Sequence, residues 1–425
     1  MKILMMTNTY KPIVGGLEKS VEAFAGEFRQ RGHKIYIATP EMEGTPSHEP
    51  NVVRLPALRK FNKTDFSVHL PVPGLLSKLI KTFKPDLVHA HHPFLVGDLA
   101  LRLCGQHHIP LVFTYHTMYE QYTHYLPLDN ARVKRFVAEL SVGFANLTDR
   151  VIAPSGSVRD LLVERGVTAP IDVVPTGVDA RFFLKGNGKR IRTQLRIPQR
   201  AFVLGHLGRL EPEKNLEFLA RSVAMFLNEK KDAHFLIIGK GSSREILETL
   251  FRERGVRDRV HFAGIMLGQN LVDAYHAMDL FAFASKSETQ GMVVTEAMAA
   301  GVPVVALDAP GARDVLRDTI NGRVVYMESD SAFCSALLWC AAKRPMHFAG
   351  LCKEARKTAD SVSIGRCAEL ALEVYEKSVH QKLRPRRTRL GQWASVMRRI
   401  RTEWGMLKNF GKATRSALGS SSLTS

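Results

Sequence analysis

Glu288 and Glu296 stand eight residues apart in Ser285-Lys286-Ser287-Glu288-Thr289-Gln290-Gly291-Met292-Val293-Val294-Thr295-Glu296. The stretch reads as a strand end, a polar turn broken by Gly291, a short helix and then a further strand, Val302 to Ala306. Glu288 then falls in the turn and Glu296 on an early turn of the helix. The amides near Gly291, Met292 and Val293 have no partners within the helix. With the helix dipole behind them they form a seat for an anion. Carboxylates accept hydrogen bonds from vicinal hydroxyls and amides hold phosphate oxygens, so two carboxylates beside such a seat suit a nucleotide sugar. Two solvated glutamates on a helix surface are the plain alternative.

A second cluster weakens that alternative. Gly208-Arg209-Leu210-Glu211-Pro212-Glu213-Lys214-Asn215 follows the apolar run Phe202 to Leu207 and opens a helix. Arg209 and Lys214 are thereby placed at the carboxyl edge of a sheet, where two cations can neutralise charge building on a departing diphosphate.

The elements that must position these residues come in two series. Lys2 to Thr7, Lys34 to Thr39, Leu87 to Ala90 and Leu111 to Tyr115 are short apolar strands, with Gly15-Gly16 opening a helix after the first and a helix over Gly97 to Gln106. Strands alternating with helices imply a doubly wound parallel sheet. After a loop-like stretch near Asp172 to Asp179 the pattern restarts with Phe202 to Leu207, Phe235 to Ile238, Val260 to Ala263, Leu280 to Ala284 and Val302 to Ala306. The expected domains are 1–180, an acceptor domain; 181–348, a nucleotide-sugar domain; 349–383, helices returning to the first; and 384–425, a basic amphipathic tail ending in a disordered stretch. Ligands of such folds sit in a cleft at the carboxyl ends of the strands.

The chain has 425 residues, 45% hydrophobic, with a formal charge of +19. An excess of that size implies an anionic partner. Eleven of the basic residues follow His380, opposed only by Glu403. There Leu390, Trp393, Met397, Ile400, Trp404 and Leu407 recur at three- and four-residue steps, the pattern of a basic amphipathic helix lying either on an anionic membrane surface, through residues 385–415, or on the protein itself. No apolar run has the length of a membrane helix or a signal peptide. Five cysteines without a CxxC pair argue against a disulfide framework and fit a reduced, cytoplasmic compartment. The trio His89, His91 and His92 has no Cys or carboxylate at ligand spacing, so no metal is expected.

Gly208 to Asn215 and Glu288 to Glu296 resemble the G-R-L-x-x-x-K-N and E-x7-E signatures of the retaining, GT-B glycosyltransferases of family four. The Gly15-Gly16 loop and His116, within Val112-Phe113-Thr114-Tyr115-His116-Thr117, also stand where that family has them. The resemblance covers about residues 1 to 380. It implies two facing Rossmann-like domains, a nucleotide-sugar donor held mainly by the second, no cofactor or obligatory metal, and transfer with retention. Carried over, Glu288 binds donor-sugar hydroxyls, Glu296 the ribose, and Arg209 and Lys214 the diphosphate, while His116 lies near the transferred sugar. His116, Glu288, Arg209 and Lys214 are then the catalytic set, and Gly15, Gly16, Gly291, Met292 and Val293 complete the donor side.

Many family members carry Gly or Ser and then an aromatic after the first Glu. Glu288-Thr289-Gln290-Gly291 instead looks like the subgroup that glycosylates diacylglycerol, as do His89 to Gly97 and Tyr115 to Pro127. A lipid acceptor makes sense of the tail and of the basic, leucine-rich segment Arg54 to Lys84. The expectation is therefore a peripheral enzyme of the inner membrane face, moving a UDP-hexose or UDP-hexuronate sugar to diacylglycerol. A lipopolysaccharide-core or phosphoinositide acceptor is the alternative within the same chemistry. A nucleic-acid-binding protein is the alternative from another class, opposed by the apolar tail and the lack of any recognition motif.

Overall fold

The computed structural model describes residues 1–13, 15–46, 49–58, 68–69, 76–121, 130–343, 345–383 and 391–418. Contacts divide the chain into two compact units, Met1–Thr176 with the segment from Cys367 onward, and Gly177–Arg366.

The first unit is built on seven strands: Lys2–Met6 (β1), Lys34–Pro40 (β2), Val52–Leu55 (β3), Leu87–Ala90 (β4), Leu111–Thr114 (β5), Arg150–Ala153 (β6) and Ile171–Val173 (β7). All pairings are parallel and the spatial order is β3-β2-β1-β4-β5-β6-β7. Parallel strands need crossover helices, which cover both faces, so the strands read as continuous apolar runs rather than alternating ones. Ile3 to Met6 are accordingly fully buried.

The second unit repeats the plan with Phe202–Leu207 (β8), Ala233–Ile238 (β9), Val260–Gly264 (β10), Leu280–Phe283 (β11), Val304–Leu307 (β12) and Gly322–Val325 (β13). Its order is β10-β9-β8-β11-β12-β13, again parallel throughout. Two apolar clusters form its core. One gathers Val203, Tyr275, Phe281 and Val294, the other Leu204, Phe226, Phe235 and Phe333. Both units thus have the doubly wound GT-B architecture expected of them. Strands β3, β6, β7 and β13 were not expected. Each has only three or four residues, and polar Arg54, Arg150, Asp172 and Arg323 break their apolar runs.

The tail forms a helix over Gly391–Leu418 that packs on the first unit, against the helices Val96–His107 and Ala131–Ala145. Small residues make the approach possible: a Cβ on Gly105 would meet Thr402, one on Gly143 would meet Asn409, and one on Gly405 would meet Leu147. Ala413 is fully buried, Met406 joins the core, and Phe136 and Phe410 meet edge to face at 5.5 Å. Ion pairs Arg102–Glu403 (2.7 Å) and Lys412–Glu139 (3.0 Å) flank the seam. Pairs this exposed contribute only about 0–1 kcal/mol, so the interlocked apolar contacts hold the helix. Its other face stays open, with Trp404 and Leu407 59% and 64% exposed. Residues 384–390 and 419–425, and much of the Arg54–Lys84 segment, lie outside the described residues. Among the described residues no helix is long and apolar enough to cross a membrane.

Gly239 has φ +144°, and a Cβ there would lie 1.8 Å from the carbonyl oxygen of Gly208, at the start of the Arg209–Lys214 loop. Gly255 has φ +68° in open space. We expect Gly239→Ala to cost roughly 2–4 kcal/mol and Gly255→Ala about 1 kcal/mol, measured by denaturant unfolding.

Candidate active site

In the second sheet the chain leaves the central strand β8 to one side through β9 and β10, then returns to the other through β11. Loops after β8 and β11 therefore diverge, which is where ligands bind in doubly wound sheets. Lys214 and Glu288 come from those two loops. Their side chains meet at 2.5 Å, the Lys214 side chain 11% exposed and that of Glu288 23%. Ser285 donates a second hydrogen bond to the same carboxylate oxygen at 3.1 Å. Burial pushes the Glu288 carboxyl up, but the Lys214 ammonium outweighs it. With help from Ser285 and Arg209, it holds Glu288 below the usual carboxylate range. Glu288 is ionised at neutral pH.

Arg209 stands one step out, its exposed guanidinium donating to Glu213 at 2.8 Å. Asn215 donates to Glu328 at 2.6 Å, and Lys286 pairs with the same carboxylate. Beneath the Lys214–Glu288 pair, His206 of β8 donates from Nδ1 to the Ala282 carbonyl at 3.1 Å. Burial, reinforced by the Lys214 charge, lowers its pKa to about 4.

Gly291 adopts the left-handed conformation, φ +65°, that turns the chain into the helix Met292–Ala299. No side chain caps that helix, and Met292 and Val293 are partly exposed. Glu296, by contrast, is buried and accepts from the Tyr275 hydroxyl at 2.9 Å. Glu288 and Lys214 are thus in direct contact with each other, Arg209 acts on them through its charge, and Glu296 is tied to Tyr275.

Gly15, Gly16 and His116 belong to the first unit. Gly15 caps the helix Gly16–Gln30 with extended backbone, and a Cβ on it would lie 2.5 Å from the Glu18 carboxylate. His116 follows β5, while His89 ends within β4 and His91 and His92 follow it, so these imidazoles gather at the divergence of β1 and β4. His91 Nδ1 lies 2.9 Å from His116 Nε2, and the amide of Asn8 donates to His92 Nδ1 at 3.1 Å. Burial lowers all four pKa values, those of His89 and His92 to about 3 and those of His91 and His116 well below 6.5. The cluster is neutral at physiological pH.

Residues 14–182 match the model of Glycosyltransferase Family 4 and residues 187–357 that of Glycosyl transferases group 1. The alpha-monoglucosyldiacylglycerol synthase of Streptococcus pneumoniae is 30% identical over 345 residues, 78% of this chain and 77% of that protein. The chain belongs to the GT-B glycosyltransferases of family four. The glycosyltransferase is also similar to the alpha-monoglucosyldiacylglycerol synthase of Acholeplasma laidlawii, 26% identical over 72% of this chain and 80% of that protein. Its fold matches that of Anabaena Alr3699/HepE, solved in complex with UDP-glucose, with a TM-score of 0.71 at 21% identity, covering 89% of this chain and all of the other.

Sequence reading of this glycosyltransferase did not single out Ser285, His206, Tyr275 or Tyr375. Ser285 stood inside the glutamate segment as a visible signal. His206 broke an apolar strand, which is the mark of a buried polar group that needs a partner. The two tyrosines carried no signal, since their contacts to Glu296 and His89 span 21 and 286 residues.

The histidine cluster has a pH consequence. Folded rings that resist protonation leave the unfolded chain binding more protons below about 6.5, so their stabilisation is complete above that pH and is lost as pH falls toward about 3. The melting temperature should fall steadily between pH 6.5 and pH 4. In His92→Asn, whose amide oxygen can still accept from Asn8, the fall should be shallower.

Proposed function

We propose that this glycosyltransferase moves a sugar from a nucleotide-sugar donor, a UDP-hexose or UDP-hexuronate, to diacylglycerol at the inner face of the cell membrane, with retention at the anomeric carbon. The observation that carries the reading is the Lys214–Glu288 pair at the divergence of β8 and β11. A cation and an acceptor-only carboxylate are there held side by side. Lys214, with Arg209 behind it, neutralises the charge that builds on the departing diphosphate. Glu288 accepts hydrogen bonds from the sugar hydroxyls. Preorganised cations of this kind lower a barrier by roughly 3–4 kcal/mol each. The amides at Gly291, Met292 and Val293 hold phosphate oxygens and Glu296 stands on the ribose side, while Gly15 and Gly16 are the donor-side positions that the family resemblance marks in the first unit.

His116 meets the transferred sugar. Its ring stays neutral and its Nε2 is already engaged by His91, so it is a poor general base. That supports transfer in which the leaving phosphate takes the acceptor proton on the same face. Two relatives named as alpha-monoglucosyldiacylglycerol synthases support the lipid acceptor. So does the open face of the tail helix, where Trp404 and Leu407 stand beside Lys408, whose ammonium lies 5.7 Å from the Trp404 ring centre. Apolar rings and cations on one helix face match an anionic membrane surface.

Incubating the full-length protein with labelled UDP- and GDP-sugars and vesicles of diacylglycerol and anionic lipid should put label into the organic phase with one UDP-sugar. Glu288→Gln should abolish that label while the protein remains folded at the assay temperature, although its melting temperature falls because Lys214 loses its partner. A water-soluble product instead would sink the diacylglycerol assignment and favour a saccharide acceptor. For the tail, Trp404→Ser with Leu407→Ser should reduce co-sedimentation with anionic vesicles by about tenfold or more without unfolding the helix, since both side chains point away from its docked face. Unchanged sedimentation would give the open face another role.

A further inference from the structure

Ser285 lies just beyond β11, where the chain enters the crevice, and is buried, 1% exposed. The turn around it is pinned from two sides. The Ala284 carbonyl accepts from the Asn215 side-chain amide at 3.4 Å, Lys286 pairs with Glu328, and the Ser287 hydroxyl donates to the Glu213 carbonyl at 3.3 Å. Residues 284–287 are thereby tied to the loops after β8 and β13, and the Ser285 hydroxyl is delivered at a set place.

A serine hydroxyl carries one proton, and an ionised carboxylate can only accept. The Ser285 proton therefore goes to Glu288 Oε1 at 3.1 Å, and any bond with the Ser287 hydroxyl, 3.3 Å away, is donated by Ser287. Lys214 donates to the same Oε1 at 2.5 Å. Oε2 receives no hydrogen bond among the described residues, and it is not one of the buried atoms left without a partner, so it reaches the surface of the crevice. The two oxygens of this carboxylate thus differ: one is committed to the protein and the other is presented outward.

We propose that Ser285 is a positioning residue that sets which oxygen of Glu288 meets the sugar. The proposal rests on the reading that Glu288 faces the donor-sugar hydroxyls. Lys214, on a flexible four-carbon stem, can follow the carboxylate as it turns. The Ser285 hydroxyl, two bonds from the Cα of a pinned and buried residue, cannot. Lys214 therefore supplies the charge and Ser285 the orientation. Oε2 has two lone pairs to offer, so Glu288 reads at most two hydroxyls, and these must be neighbours on the sugar ring.

Two substitutions separate orientation from packing. Ser285→Ala removes the donor, and Ser285→Cys fills the space with a thiol that donates only weakly. With the full-length protein and the UDP-sugar that labels lipid in the vesicle assay above, both should lose about tenfold in kcat/KM. UDP alone, which has no sugar to read, should bind both variants within about twofold of the unsubstituted protein in calorimetry. Donors lacking one hydroxyl at a time test the coupling directly: the unsubstituted protein should lose most against one or two adjacent positions, and in Ser285→Ala that penalty should shrink by about fivefold. Full activity in Ser285→Cys, an equal loss of UDP binding and transfer, or a Ser285→Ala loss that is the same for every deoxygenated donor would overturn the proposal while Glu288→Gln stays inactive. Transfer by Glu288→Gln at the unsubstituted rate would instead remove Glu288 from the sugar, and this role of Ser285 with it.

Discussion

Each sheet has its first strand in the middle, and the chain leaves that strand in opposite directions for the two halves. From this constraint the rest follows. Crossover helices cover the faces, and the loops after the central strands part from one another, leaving a crevice at the carboxyl ends of those strands. Polar side chains placed there are held by sheet geometry. The divergence after β8 and β11 carries Lys214 and Glu288, and the one after β1 and β4 carries the histidines.

The two places are electrostatic opposites. At the second sheet the charges of Lys214 and Glu288 balance each other and Ser285 occupies part of the carboxylate, which offsets the desolvation that either ion would suffer alone. At the first sheet burial drives the imidazoles neutral. A surface of the first kind can balance an anionic ligand. A surface of the second kind suits uncharged hydroxyl groups, because a neutral ring offers no charge to bind a phosphate.

Much of this was legible in the sequence because the local rules and the global fold agree. The apolar runs at Leu4, Val88, Leu204 and Phe281 are too short for helices and flanked by turn residues, which fixes them as buried parallel strands. Glu288 and Lys214 could be placed at strand ends from the same pattern. Less legible was anything depending on distant pairing. Glu296 reads as a helix residue, but its burial against Tyr275 is set by tertiary packing. The apolar stripe of the tail predicts an amphipathic helix without saying what it lies on. The answer sits in Gly105 and Gly143, on two other helices, whose missing side chains admit Thr402 and Asn409. The histidine motif at His89, His91 and His92 was visible, but its meaning depends on which nitrogen faces which neighbour, a matter of ring orientation that spacing does not encode.

Tyr375 reaching His89 ties together positions 286 residues apart, within a unit assembled from two separate stretches of chain. During synthesis the second unit, Gly177–Arg366, is complete in sequence before the ribosome delivers Tyr375 or the tail helix. The first unit must therefore wait with part of its histidine cluster and the small-residue surfaces of two helices uncovered. The last segment to emerge acts as a clasp, and the order of assembly along the nascent chain runs inside out: the inserted body can close first, and the body that begins the chain closes last.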